Sequence, residues 1–126
     1  MKYFFLLTIF LLGWHFSNSQ LSPKAFVYVK FKGSIDGWNV IMKYGDGYLG
    51  ATELIMTKNG NTKKYIFDTR VEKKIRLVLY DELPKNDKFF LVENIDEDNI
   101  PDHVNALWVN KSVKKTLVLK REVRNN

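Results

Sequence analysis

The chain contains no cysteine. This absence excludes thiol catalysis, thiolate metal sites and disulfide bonds. Proline is also sparse, at three residues, whereas aromatic and branched aliphatic side chains are plentiful. A domain of this composition must obtain its stability from the packing of a hydrophobic core alone.

Histidine and serine, which serve many hydrolytic sites, are scarce as well. After the first twenty positions the only histidine is His103, and the only serines are Ser22, Ser34 and Ser112. A Ser–His–acid triad would need His103 to meet one of these serines and a carboxylate, and a zinc site would have a single imidazole. A domain of this size seldom forms the deep cleft that paired carboxylates need for glycoside hydrolysis. We therefore expect that the protein is not an enzyme.

The N-terminal segment has the pattern of an export signal. Lys2 precedes an apolar run over residues 3–14, and the small side chains of Ser17 and Ser19 suit a signal peptidase. The run is shorter than the about 20 residues that span a bilayer, so we expect no stable membrane span after cleavage. The predicted division is a signal peptide over residues 1–19 and a single all-β domain over residues 20–126.

Export and the lack of cysteine together indicate a compartment. Small secreted domains of eukaryotes are usually stabilised by disulfides, and this chain has no cysteine to form one. The combination favours a bacterial envelope protein or a secreted bacterial protein. We predict a secreted or periplasmic location.

The net charge of +6 is unevenly distributed along the chain. A basic hairpin over residues 58–64 and an acidic stretch over residues 93–102 are both suited to steering a partner of opposite charge. Nucleic acid is the usual partner of a basic chain, but an exported protein rarely meets it, so we expect none. An acidic protein face, an acidic glycan or an anionic lipid fits better. The simpler interpretation is that lysines cover solvent-facing strand surfaces and maintain solubility.

Alternation of apolar and polar residues dominates the chain after the signal. Val27, Val29 and Phe31 share one predicted strand face, and Asn59-Gly60 is a strong hairpin signal. About eight short strands follow one another, separated by turns. This pattern predicts an all-β fold, either a small antiparallel β-sandwich or a small barrel.

The segment over residues 94–105 carries the one local pattern with chemical content. Oxygen-bearing side chains recur at every second position, a spacing that turns several oxygens toward one hard cation. The residues Asp96-x-Asp98-Asn99-Ile100-Pro101-Asp102 resemble the calcium-binding loop of a thrombospondin type 3 repeat, over this segment only. The resemblance implies a structural Ca²⁺. The predicted ligands are Asn94, Asp96, Asp98, the backbone carbonyl of Ile100, Asp102 and Asn105. The alternative is an acidic, solvated loop that turns the chain between strands.

A group of aromatic residues around the Gly45-Asp46-Gly47 turn is a second candidate site. Exposed rings of Trp38, Tyr44 and Tyr48 would stack on sugar faces, and Asp46 would accept hydroxyl hydrogen bonds. The alternative is core packing, because aromatic residues more often serve the core. Trp38 in particular alternates with Val40 and Met42 as an inward residue.

Small size, export and the lack of a catalytic set indicate a binding protein. We expect an exported non-catalytic binding module that acts on a protein partner in the cell envelope or outside the cell. One alternative is a carbohydrate-binding module that uses Trp38, Tyr44 and Tyr48. Another is a secreted inhibitor or immunity-type protein.

Overall fold

Eight antiparallel strands make up most of the computed structural model, which describes residues 26–82 and 87–123. The strands are β1 (Val27–Ile35), β2 (Trp38–Asp46), β3 (Glu53–Lys58), β4 (Asn61–Val71), β5 (Lys74–Leu79), β6 (Lys88–Val92), β7 (His103–Asn110) and β8 (Val113–Arg121). Each pairs with the next, and β8 pairs with β1, which closes a barrel. The all-β prediction is confirmed, and of the two predicted architectures the barrel is present. The predicted signal peptide over residues 1–19 lies outside the described residues.

The only helices in the described part of the chain are two short 3₁₀ turns. They cover Leu49–Ala51, between β2 and β3, and Tyr80–Glu82, after β5. Within the described residues, no helix is long and apolar enough to cross a membrane.

Two tight hairpins fix the register of the first four strands. The β1–β2 turn has Asp36 and Gly37 at φ of 51° and 80°, and the β3–β4 turn has Asn59 and Gly60 at 50° and 80°. Two successive residues with positive φ form the type I′ turn, whose twist matches that of the strands it joins. The hairpin predicted at Asn59-Gly60 is therefore confirmed.

Side chains from every strand fill the interior of the barrel. The interior residues Phe31, Met42, Leu54, Tyr65, Leu77, Phe90, Trp108 and Leu119 represent β1 to β8 in order, and all are buried. The rings of Tyr65 and Phe90 meet edge to face at 4.8 Å, and the Trp108 indole N–H donates to the Tyr65 hydroxyl at 3.4 Å. An eight-stranded barrel is just wide enough for side chains to fill, so this interior is a hydrophobic core.

The first strand differs from its predicted burial at one end. Phe31 is fully buried and Val29 packs against the core, but Val27 is 59% exposed. Val27 lies opposite Asp46, the last residue of β2, so it is at the rim of the barrel. The alternation of side chains predicts correctly which residues of β1 face the barrel interior, but it does not predict where along the strand the core ends.

The acidic segment between β6 and β7 closes one end of the barrel. Its Ile95 is 2% exposed and belongs to the core, and Ile100 packs against the same cluster. The Ile95 backbone N–H donates to the Lys73 carbonyl at 2.8 Å, and the Glu93 N–H donates to the Asn105 carbonyl at 2.8 Å. We call residues 93–102 the acidic loop; the buried Ile95 and the partly buried Ile100 anchor it to the core.

Replacing the buried anchor tests this closure. We expect Ile95→Ala to lower the free energy of unfolding by about 2–5 kcal/mol, the range for truncating a buried Ile or Leu. Val118→Ala, at a half-exposed position of β8, is the control and should change it by less than about 0.5 kcal/mol. Urea denaturation measures both values, and equal small effects would show that the loop does not seal the core.

Candidate functional site

The barrel has two ends that differ in construction. The loop end contains the connections over residues 47–52, 72–73 and 93–102, and the hairpin end contains the turns over residues 36–37, 59–60 and 111–112. β4 runs from the hairpin end to the loop end, so basic residues that are close in sequence on this strand lie at different ends. Lys63 lies near the hairpin end, whereas Arg70 lies near the loop end. A single basic surface therefore does not form from this part of the sequence.

Cations from neighbouring strands hold the acidic loop in place. The Arg70 guanidinium forms an ion pair with Glu97 at 2.8 Å, and Lys74 pairs with Glu93 at 3.5 Å. Both pairs are largely exposed, so each adds little to stability by itself. They connect the loop to the loop-end residues of β4 and β5.

Two of the oxygens predicted to bind calcium, on Asp96 and Ile100, accept hydrogen bonds from within the chain. One carboxylate oxygen of Asp96 accepts the backbone N–H groups of Asp98 at 3.0 Å and Asn99 at 3.2 Å. The Ile100 carbonyl accepts from the Arg121 guanidinium at 3.4 Å. Arg121 therefore places a positive charge beside one of the oxygens that would bind the ion.

The other predicted ligands are spread along the loop and the next strand. Asn94 is exposed with φ of 64°, Asp98 and Asp102 are exposed, and Asn105 lies on β7 opposite Val118. Within residues 26–82 and 87–123, no three histidine or carboxylate side chains come together to hold a metal ion. Calcium binding by this segment stays a prediction.

The four residues of the predicted aromatic site do not form one site. Trp38 begins β2 at the hairpin end, whereas Tyr44 and Asp46 lie at the loop end of the same strand. Tyr44 is 2% exposed and packs edge to face on Phe31, with 6.4 Å between ring centroids. It continues the inward alternation of β2, so its ring is not available for stacking on a sugar. Tyr48, in contrast, is half-exposed at the loop end.

A different aromatic cluster lies on the outside of the loop end. The Phe26 ring contacts Tyr28 at 5.1 Å and Tyr48 at 5.9 Å, both edge to face, and both tyrosines are exposed. We call these three residues the aromatic cluster. Tyr28 alternates with Val27 and Val29 along β1 and so faces outward, and Phe26 directly precedes this strand. The contact of Phe26 with Tyr48 depends on the path of the β2–β3 connection.

Gly45 allows this connection to fold back onto β2. Its N–H donates to the Thr52 hydroxyl at 3.0 Å, and its carbonyl accepts the Tyr48 N–H at 3.2 Å. A Cβ atom at position 45 would lie 2.3 Å from the Tyr48 carbonyl oxygen. Only glycine therefore fits here. Because position 45 has no side chain, the connection can fold back and place Tyr48 beside β1.

The Tyr44 hydroxyl is buried and has no hydrogen-bond partner among the described residues. Burial raises the pKa of Tyr44 to about 12, and the negative charges of Glu97 and Asp46 add to the effect. The phenol therefore stays neutral at physiological pH. It marks the place where the core meets the carboxylates of the loop end.

Comparison with known proteins identifies no relative. No protein-family model, curated protein or solved structure matches the chain. Function must therefore be inferred from the two ends of the barrel and the residues exposed there.

Removing the buried hydroxyl should not destabilise the protein. Because the hydroxyl is unpaired, we expect Tyr44→Phe to leave the unfolding free energy unchanged or to raise it by about 1 kcal/mol.

The unfolded chain loses the Tyr44 proton near pH 10 and the folded chain only near pH 12, so the wild type should lose stability over this interval. Urea denaturation at pH 8, 10 and 12 compares Tyr44→Phe with the control Tyr48→Phe. If the gap between wild type and Tyr44→Phe is the same at every pH, the burial argument is wrong.

Proposed function

We propose that the chain is an exported, non-catalytic binding module that recognises a protein partner at its loop end. The observation that carries this proposal is the aromatic cluster, whose two exposed tyrosines stand at the same end as the acidic loop. Tyrosine is enriched at protein interfaces because it combines a large apolar ring with a polar tip. An inhibitor or an immunity-type protein is one form of such a module.

The filled interior supports recognition on the outside of the barrel. The space between Phe31, Tyr44 and the apolar side of the acidic loop leaves no room for a water molecule. Small ligands usually occupy clefts of several hundred Å³. A partner that meets a surface needs no such cleft.

The charge of the acidic loop indicates the chemistry of the partner. The carboxylates of Asp98 and Asp102 are exposed and form no ion pair with any described residue, whereas Glu97 is already paired with Arg70. Unpaired surface carboxylates raise the association rate with a basic partner and make that rate depend on salt. We therefore propose a basic protein surface as the partner.

A carbohydrate ligand is the second candidate, favoured by the same tyrosine rings. Tyr28 and Tyr48 have exposed rings, and Asp46 precedes Tyr48 by two residues. Sugar faces stack on such rings, and a carboxylate accepts hydrogen bonds from sugar hydroxyls. This candidate uses Asp46 and Tyr48 of the residues predicted from sequence, without Trp38 and Tyr44.

Substitution of the two exposed tyrosines tests both candidates. We expect Tyr28→Ala with Tyr48→Ala to weaken binding of the partner captured from an envelope extract or culture supernatant by at least about 30-fold. Tyr80→Ala, which is similarly exposed but lies at the hairpin end, is the matched control and should bind normally. Binding is measured by biolayer interferometry at two salt concentrations.

The outcomes separate the candidates. Loss of a captured protein, with an association rate that falls in high salt, supports the protein partner. If no protein is captured and the double variant instead loses binding to a glycan of an oligosaccharide panel, the carbohydrate candidate replaces the protein partner. Equal binding by the double variant and Tyr80→Ala would show that the loop end is not the binding surface.

A further inference from the structure

Three lysines from three strands converge at the hairpin end. The ammonium groups of Lys58 and Lys63 lie 5.8 Å and 5.1 Å from the centroid of the Trp38 ring. Lys115 forms an ion pair with the Asp36 carboxylate at 2.6 Å, and Lys58 also donates to the Asp36 carbonyl at 3.0 Å. β3, β4 and β8 thus direct cations to the turn between β1 and β2.

The register of the barrel explains how two of these lysines are placed. Lys63 is paired with Met56, and Lys115 is paired with Trp108. Paired residues share one side of a sheet, and both Met56 and Trp108 are buried in the core. Lys63 and Lys115 therefore belong to the inward-facing rows. At the hairpin end Lys63 reaches the Trp38 ring, and Lys115 reaches the Asp36 carboxylate.

Positive charge is in excess in this group. The Asp36 carboxylate forms an ion pair with Lys115, and within the described residues Lys58 and Lys63 form no ion pair. The Trp38 ring offsets part of their repulsion, since ammonium groups are attracted to the face of an indole. An added oxyanion would neutralise the remainder, because lysine binds phosphate as a mobile point charge.

We propose that the hairpin end is an anion site for a phosphate group, held by Lys58, Lys63 and Lys115. Asp36 acts there as an internal competitor, because its carboxylate already occupies Lys115. This proposal is independent of the protein partner at the loop end. The phosphate group reaches the site either in a soluble phosphate compound or in a lipid headgroup.

Tryptophan fluorescence tests the site directly, with inorganic pyrophosphate as the probe at constant ionic strength. We expect a saturable change that Trp38→Phe abolishes. Lys63→Gln should weaken binding by about tenfold, the loss of one charge-assisted hydrogen bond. Lys64→Gln is the matched control, since Lys64 is the next residue, has the same charge and pairs with Glu53 instead. It should bind as the wild type does.

The Asp36→Asn variant gives a prediction of opposite sign. Asparagine adopts positive φ readily, so the turn is preserved while Lys115 is released. We expect pyrophosphate to bind about tenfold more tightly. Equal weakening by Lys63→Gln and Lys64→Gln, or weaker binding by Asp36→Asn, would overturn the site, as would a response that does not saturate.

A second arm distinguishes the two sources of phosphate. Co-sedimentation with phosphatidic acid vesicles is compared with co-sedimentation with neutral phosphatidylcholine vesicles. Vesicle binding that Asp36→Asn strengthens and Lys63→Gln weakens identifies a lipid headgroup. Pyrophosphate binding in the same order, without vesicle binding, identifies a soluble phosphate compound.

Discussion

The pairing of β1 with β8 is the constraint on which the rest of this structure depends. Only two residue pairs form this seam, Phe31 with Arg121 and Lys32 with Lys120. The Glu122 N–H continues it by donating to the Lys30 carbonyl at 2.8 Å. A Cβ atom on Gly33 would lie 2.8 Å from the Val118 carbonyl oxygen, so β8 can approach β1 this closely only because position 33 is glycine.

Closure of the seam determines where function can reside. A closed sheet has no free edge for another strand to join, and an eight-stranded barrel is filled by its own side chains. The ends are then the surfaces on which unusual side chains can be grouped. At one end the acidic loop seals the core through Ile95 and presents carboxylates outward. At the other end, inward-facing rows end in Lys63, beside Trp38, and in Lys115, which pairs with Asp36.

Local pattern predicted much of this fold, and long-range pairing explains the rest. Alternation identified the strands and grouped Trp38 with Val40 and Met42 as inward residues. Val40 and Met42 are buried, and Trp38 packs against the core. Alternation could not distinguish a sandwich from a barrel, because the decisive contact joins β1 to β8 and leaves no local signal. The aromatic site failed to assemble for a related reason: six residues of extended strand separate Trp38 from Tyr44 by about 20 Å. The anchoring of the acidic loop by Ile95 was also not predicted. The Ile95 N–H donates to the Lys73 carbonyl, which lies in the β4–β5 connection and is distant in sequence.

Amide hydrogen exchange at the seam tests the closed barrel most directly. If β8 is joined to β1, the Glu122 amide, which is bonded to the Lys30 carbonyl, should exchange as slowly as the paired amides of β4 and β5. This slow exchange is expected although Glu122 is exposed and lies next to the end of the last strand. Exchange of the Glu122 amide at the rate of an unstructured peptide would mean that the sheet is open, and the assignment of function to two closed ends would be contradicted.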